Sequence, residues 1–235
     1  MKVAVYTLTR DRLEYTKFCF NTLWKNAGHD FDHFIVDNGS EDGTDEWLRA
    51  HADKFKKVLL NDRNEGISKA SNEALKMIFQ EENKARELYD LIIKFDNDCE
   101  VISENIIGQI CEIYQDIFEK DYLSEYILSP KVEGIANQPS RETFENLGGR
   151  RIGITSIVGG LFHIVPAEIY KSYQYPEKLP KAWGQDDDIC AWFKQKGGKV
   201  GYIEGLVVNH YKTTAGQAKD FPAYFERKWK EEKNA

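Results

Sequence analysis

Residues 91–98 read Leu-Ile-Ile-Lys-Phe-Asp-Asn-Asp. The first five form a short run, apolar on both faces, which predicts a central strand covered from both sides. The last three place two carboxylates, Asp96 and Asp98, one residue apart where that strand ends. Toward the N-terminus the same kind of run recurs: Val3–Thr7, His33–Val36 and Val58–Leu60 predict strands, and Leu13–Lys25, Asp45–Phe55 and Ile67–Glu81 predict helices between them. Strand–helix alternation at this spacing implies right-handed βαβ units and a mostly parallel sheet. Toward the C-terminus the pattern changes. After a helix over Ile106–Lys120, the runs Glu125–Ser129, Thr155–Ile164 and Lys199–Ile203 predict strands separated by longer, glycine-bearing loops. Asp188–Lys196 predicts a helix stopped by Gly197-Gly198, and the charged tail Phe221–Glu232 predicts another.

The 235 residues suit one α/β domain. Hydrophobic residues are 41% and aromatics 13%, enough core material to exclude a disordered chain. Lys and Arg number 32 against 39 Asp and Glu, a net charge of −7, which argues against a nucleic-acid or anionic-membrane binder. It leaves room for an anionic small molecule, because a bound metal can supply positive charge. Cys19, Cys99, Cys111 and Cys190 are scattered and form no CxxC pair, so reduced thiols in a cytoplasmic protein are expected. The first apolar run is too short for a signal-peptide core, and Ile152–Val165 contains glycines and falls short of a membrane span.

Ligands of open α/β sheets bind beyond the carboxyl ends of the strands, which singles out a few acids. Asp37 follows the strand His33–Val36 and opens the turn Asp37–Thr44. An Asx turn leading to an N-cap at Thr44 accounts for Gly39, Ser40, Gly43 and Thr44; Asp37 is also placed to accept from a base or ribose donor. Asp96 and Asp98 repel one another unless a cation is bound, and hard oxygen ligands suit Mg²⁺ or Mn²⁺ with a substrate diphosphate completing the shell. In Trp183-Gly-Gln-Asp-Asp-Asp188, Asp188 is the best helix cap, which leaves at least one acid free to face a cleft. His210, read alone, is either a core histidine or a ligand. There is no GxGxxG after the first strand, no GxxxxGK[ST] and no GxSxG, and Cys99 has no neighbouring His. Dinucleotide oxidoreductase, P-loop NTPase and acyl-transfer readings are therefore unsupported. A metal-assisted reaction on a phosphate-containing substrate, with a carboxylate base, remains.

The ordered set Thr9-Arg10, VDNGSEDGT (36–44), NEGISKASNEAL (64–75), KFDNDCEV (94–101), GGLFHIV (159–165), WGQDDDIC (183–190) and VNH (208–210) resembles a family 2 glycosyltransferase with the GT-A fold. The resemblance runs from about Val3 to His210. It implies one α/β domain of GT-A type over 1–235, with a Rossmann-like, mostly parallel central sheet flanked by helices and a mixed second half. Residues 1–100 would bind the nucleotide sugar, 101–212 the acceptor, and 213–235 form a helical tail. The implied reaction is inverting transfer of a sugar from a nucleoside-diphosphate sugar, UDP-sugar favoured, to an acceptor hydroxyl, with Mn²⁺ or Mg²⁺. For the nucleotide it implies Thr7, Leu8, Thr9, Arg10, Asp37, Asn38, Arg63, Asn64, Gly66, Asp96 and Asn97. Asp98 and His210 would hold the metal. The family's Glu-Asp motif reads Gln185-Asp186 here, and two further acids follow, so the base is Asp186 or Asp187. Gly159, Gly160 and Gln185 would border the acceptor, and Trp183 either stacks on a sugar or packs in the core. Two rivals stay open: a nucleotidyltransferase or metal-dependent phosphodiesterase, and a catalytically silent sugar-nucleotide or glycan-binding domain.

Overall fold

The computed structural model describes residues 1–119, 126–135, 139–179 and 184–233. Strand β1 (Val3–Thr9) is followed by α1 (Leu13–Asn26), β2 (Asp32–Asn38), α2 (Thr44–Ala50), β3 (Lys57–Asn61), α3 (Ile67–Ala85) and β4 (Leu91–Phe95). Strands β1–β4 pair in parallel in the order β3-β2-β1-β4, as the alternation predicts. Helix α1 buries Tyr15, Cys19, Phe20 and Leu23, a stripe at helical spacing that seats it on the sheet. Helix α3 turns Ala70, Ser71, Ala74 and Ile78 inward, and these mostly small side chains let it pack close to β1 and β2.

The second half comprises β5 (Cys99–Val101), α4 (Ile106–Glu119), β6 (Tyr126–Glu133), β7 (Thr143–Leu147), β8 (Arg150–Thr155), β9 (Phe162–Pro166), α5 (Ala167–Lys171), α6 (Gln185–Gln195), β10 (Lys199–His210), α7 (Thr214–Asp220) and α8 (Pro222–Lys233). Among the described residues these strands join the first four in one ten-stranded sheet, β3-β2-β1-β4-β9-β6-β10-β8-β7, with β5 paired to β10. The parallel half gives way to antiparallel pairing at β4–β9, where Lys94 faces His163 and Phe95 faces Phe162 in register. The sheet is therefore mixed, with a parallel first half.

Several local expectations shift. The run Thr155–Ile164 is two strands, β8 and β9, parted by a loop that contains Gly159-Gly160. Strand β10 continues past Ile203 to His210 across a register shift between Ile203 and Val207, near Gly205 at φ +89. Such a bulge bends a strand and re-aims the residues beyond it, here Asn209 and His210. Strands β5 and β7 were not expected; β7 exposes most of its residues and so lacks an apolar signature. Helix α6 starts at Gln185 with Gly184 as N-cap, so Asp188 lies a full turn inside and is not the cap. Its backbone N–H instead donates to the Gly184 carbonyl, and its carboxylate accepts from the Tyr173 hydroxyl at 2.7 Å. All four cysteines are buried free thiols. No helix among the described residues is long and apolar enough to cross a membrane.

Candidate active site

A cleft with a cavity volume of about 230 Å³ opens beyond the carboxyl ends of β1, β2 and β4. Leu8, Thr9, Arg10, Asn38 and Asn64 form one side, Asp96, Asn97 and Asp98 the floor, and His210 with residues of α7 and α8 the other side. Its shape starts at the turn after β1. Asp11 and Arg12 both take left-handed conformations (φ 51 and 61), which reverses the chain and folds Arg12 inward. Arg12 Nη1 donates to Asp98 Oδ2 (2.9 Å) and Gln217 Oε1 (2.7 Å), while Nη2 donates to Asn97 Oδ1 (2.8 Å). Its guanidinium lies over the Tyr224 ring, 4.8 Å from the centroid.

The sequence-predicted nucleotide residues separate into groups. Leu8, Thr9, Arg10, Asn38, Asn64, Asp96 and Asn97 reach the cleft. Asn38 and Asn64 brace one another at 2.9 Å, and Asn64 Oδ1 also accepts from the Gly66 N–H that begins α3. Asp37 stands behind this wall, buried, accepting from the Thr9 hydroxyl (2.7 Å) and from both the backbone N–H (2.9 Å) and hydroxyl (2.5 Å) of Ser40. Burial raises its pKa against those three donors. Thr7, one pleat further from the strand end than Thr9, is buried in the core with its hydroxyl 3.0 Å from His33 Nε2. Arg63 is exposed and paired with Glu65 at 2.8 Å, away from the cleft.

Asp98 and His210, read from the sequence as the metal pair, lie close together, with Nε2 3.7 Å from Oδ2. Strand β5 sets this meeting, because Cys99 pairs with His210 in antiparallel register. The Nδ1–H of His210 donates to the Lys212 carbonyl at 2.6 Å, which turns Nε2 toward Asp98. Burial opposes ionisation of Asp98, but Arg12, then His210 and Gln217, draw its pKa down to about 2. No group of three or more His, Cys, Asp or Glu side chains that could hold a metal ion occurs among the described residues. One carboxylate and one imidazole fit a divalent cation that takes its remaining ligands from substrate phosphate oxygens and water.

The opposite edge of the site is built on Gly160. Its N–H donates to Asp186 Oδ2 at 2.8 Å, and a Cβ there would lie 2.2 Å from Oδ1, so only glycine admits the carboxylate. Asp186 Oδ1 is buried with no hydrogen-bond partner. Lys94 joins this edge to the floor, its ammonium donating to Asp96 Oδ1 (2.6 Å) and to the Gly160 carbonyl (2.7 Å). Asp187 is exposed, and Gln185 is buried with its amide donating to the Ser68 hydroxyl at 3.2 Å. Gly159 donates its N–H to the Tyr202 hydroxyl at 3.3 Å. Trp183 lies outside the described residues.

The family model described as Glycosyl transferase family 2 matches residues 4–137, more than half of the chain. The chain belongs to glycosyltransferase family 2. Solved structures of similar shape agree on the GT-A fold of this family 2 chain. S. aureus TarS 1-349 in complex with UDP has a TM-score of 0.63 at 16% identity, over 89% of this chain and 60% of that one. The mannosyltransferase PcManGT from Pyrobaculum calidifontis, in complex with GDP-Man and Mn²⁺, has 0.64 at 13%, over 91% and 58%. GalNAc-T7 with UDP, GalNAc and Mn²⁺ has 0.66 at 15%, over 89% and 44%. The family 2 chain thus spans 60% or less of these three structures. No curated protein matches it.

Sequence reasoning passed over several residues of this family 2 site, among them Arg12, Lys94, Gln217 and Tyr224. A signal existed for Lys94, a lone cation inside an otherwise apolar strand, since a buried charge requires a partner. Arg12 stands next to the motif after β1 but gives no sign of folding inward. Nothing in the tail's composition marks Gln217 or Tyr224.

Proposed function

We propose that this chain is an inverting glycosyltransferase that moves a sugar from a nucleoside-diphosphate sugar, a UDP-sugar by preference, to an acceptor hydroxyl. The observation that carries the reading is the placement of Asp186 Oδ1, buried and unpartnered, one glycine residue and one ammonium away from Asp96 on the cleft floor. A lone carboxylate oxygen in that position has a task for a protonated hydroxyl and none for packing.

In this reading Leu8–Arg10, Asn38 and Asn64 cradle the nucleoside, and Asp37 shapes that cradle from behind through Ser40 and Thr9. Asp98 and His210 would hold a divalent cation, Mn²⁺ or Mg²⁺, which supplies positive charge to the departing diphosphate. Arg12 keeps Asp98 ionised and fixed in place, and the Lys212 carbonyl keeps Nε2 of His210 turned toward Asp98. Asp186 accepts the proton of the acceptor hydroxyl as that oxygen attacks the anomeric carbon from the face opposite the leaving diphosphate. No carboxylate is assigned a covalent role, so a single displacement inverts the centre. The test is a panel of nucleotide sugars with Mn²⁺ or EDTA, read as free sugar and nucleoside diphosphate released. Metal-dependent release from one donor is expected. Cleavage within the diphosphate would establish a nucleotidyltransferase or phosphodiesterase instead, and tight binding with no release a silent binding domain.

A further inference from the structure

Lys94 is 4% exposed, although it sits in the middle of the strand that carries the acidic floor. An ammonium in such a place is costly unless every face of it is answered. The groups that face it come from five places in the fold: Asp96 just beyond β4, Gly160 in the loop before β9, Asp186 on α6, Tyr6 on β1, and His163 of β9 opposite it in register. Burial alone would drive Lys94 toward its neutral form, but Asp96 and then Asp186 hold its pKa raised, so the cation persists.

The geometry is directional. Gly160 presents its carbonyl to Lys94 at 2.7 Å and its N–H to Asp186 at 2.8 Å. The two peptide groups that meet at the Gly160 Cα are thereby each held, the following one by a cation that also holds Asp96 and the preceding one by a carboxylate pressed against that Cα. Neither peptide can turn about the Gly160 Cα without straining or breaking a charge-assisted hydrogen bond, so the glycine passes the position of Lys94 on to Asp186. We propose that Lys94 is a positioning residue: by tying the Gly160 peptide to Asp96, it sets where the Asp186 carboxylate sits relative to the donor side of the cleft. The proposal rests on the reading of Asp186 as the base. It also explains why a cation stands in this strand, where packing between β1 and β9 alone would favour another Ile or Val.

The test uses the full chain labelled with ¹⁵N-glycine and the variants Lys94→Met, Lys94→Arg and Asp186→Asn. Lys94→Met should raise the exchange rate of the Gly160 amide at least tenfold, with Gly28 and Gly197 unchanged, and Lys94→Arg should restore most of the protection. With the donor selected by the panel above, Lys94→Met should lower kcat at least tenfold at an unchanged donor KM. Lys94→Gln, which keeps a donor for the carbonyl without the charge, takes the place of Lys94→Met if that variant fails to fold. Wild-type exchange at Gly160, an equal rise at all glycines, or a wild-type kcat would overturn the role of Lys94. Normal turnover by Asp186→Asn would overturn the base assignment instead, so the two failures are distinguishable.

Discussion

Arg12 Nη1 and Asp98 Oδ2 lie 2.9 Å apart, although 86 residues separate them in the chain. Both side chains are nearly buried, at 10% and 14% exposure. Breaking such a pair from one side leaves an uncompensated charge, so Arg12→Ala should cost about 3 kcal/mol of stability. Arg12→Lys should recover only part of it, because a single ammonium cannot span Asp98, Asn97 and Gln217 as the guanidinium fork does. Urea unfolding measures both, and equal stability of the Lys variant and wild type would refute the argument.

Asp98 also carries the proposed cation site. With Mn²⁺ present, Asp98→Asn should weaken UDP binding at least tenfold, whereas affinities measured in EDTA should differ little between variant and wild type. Isothermal calorimetry in the two buffers makes the comparison. Equal weakening in both would mean that Asp98 acts on the nucleotide directly.

For the base, Asp186→Asn should retain donor binding and lose roughly 10²-fold or more in turnover. Asp187→Asn, on an exposed side chain, should keep wild-type turnover. A collapse confined to the Asp187 variant would move the base by one residue.

Asp188 contributes through Tyr173 rather than through a helix cap. A hydrogen bond to a charged group is worth about 1.5–3 kcal/mol, and this one should appear as coupling in a double-mutant cycle of Asp188→Asn with Tyr173→Phe. Additive losses would show that the two side chains act independently.

Two buried histidines predict an acid-sensitive fold. Burial lowers His33 to about 3, and it lowers His163 to about 4, with Asp186 opposing. Both stay neutral in the folded chain and bind a proton near pH 6.5 once unfolded. Their stabilisation is therefore complete above pH 6.5 and is lost as pH falls below it, by roughly 1–2 kcal/mol per histidine at pH 5.5. Urea unfolding at pH 7.5 and 5.5 should show the drop, and His33→Gln should remove about half of it. A flat profile would contradict the assignment.

By itself the sequence determined the alternation β1–α1–β2–α2–β3–α3–β4 and the sites where acids follow strands, because hydrophobic period and turn chemistry are local properties. Parallel strands end on a common edge, so Asn38 at the end of β2 and Asp96–Asp98 after β4 were bound to share one rim. His210 was legible as a partner of that rim only through the order of motifs. The tertiary structure alone separated the three consecutive acids. Asp186, Asp187 and Asp188 are equivalent in composition, and only the approach of Gly160 to α6 distinguishes the first, while Tyr173 claims the third. The structure alone also turned Thr7 inward, drew Asp37 behind the cleft wall and closed the cleft with α7 and α8, where Gln217 meets Arg12 across 205 residues. Contacts of that span depend on the packing of whole elements against one another, and no local pattern of side chains encodes them.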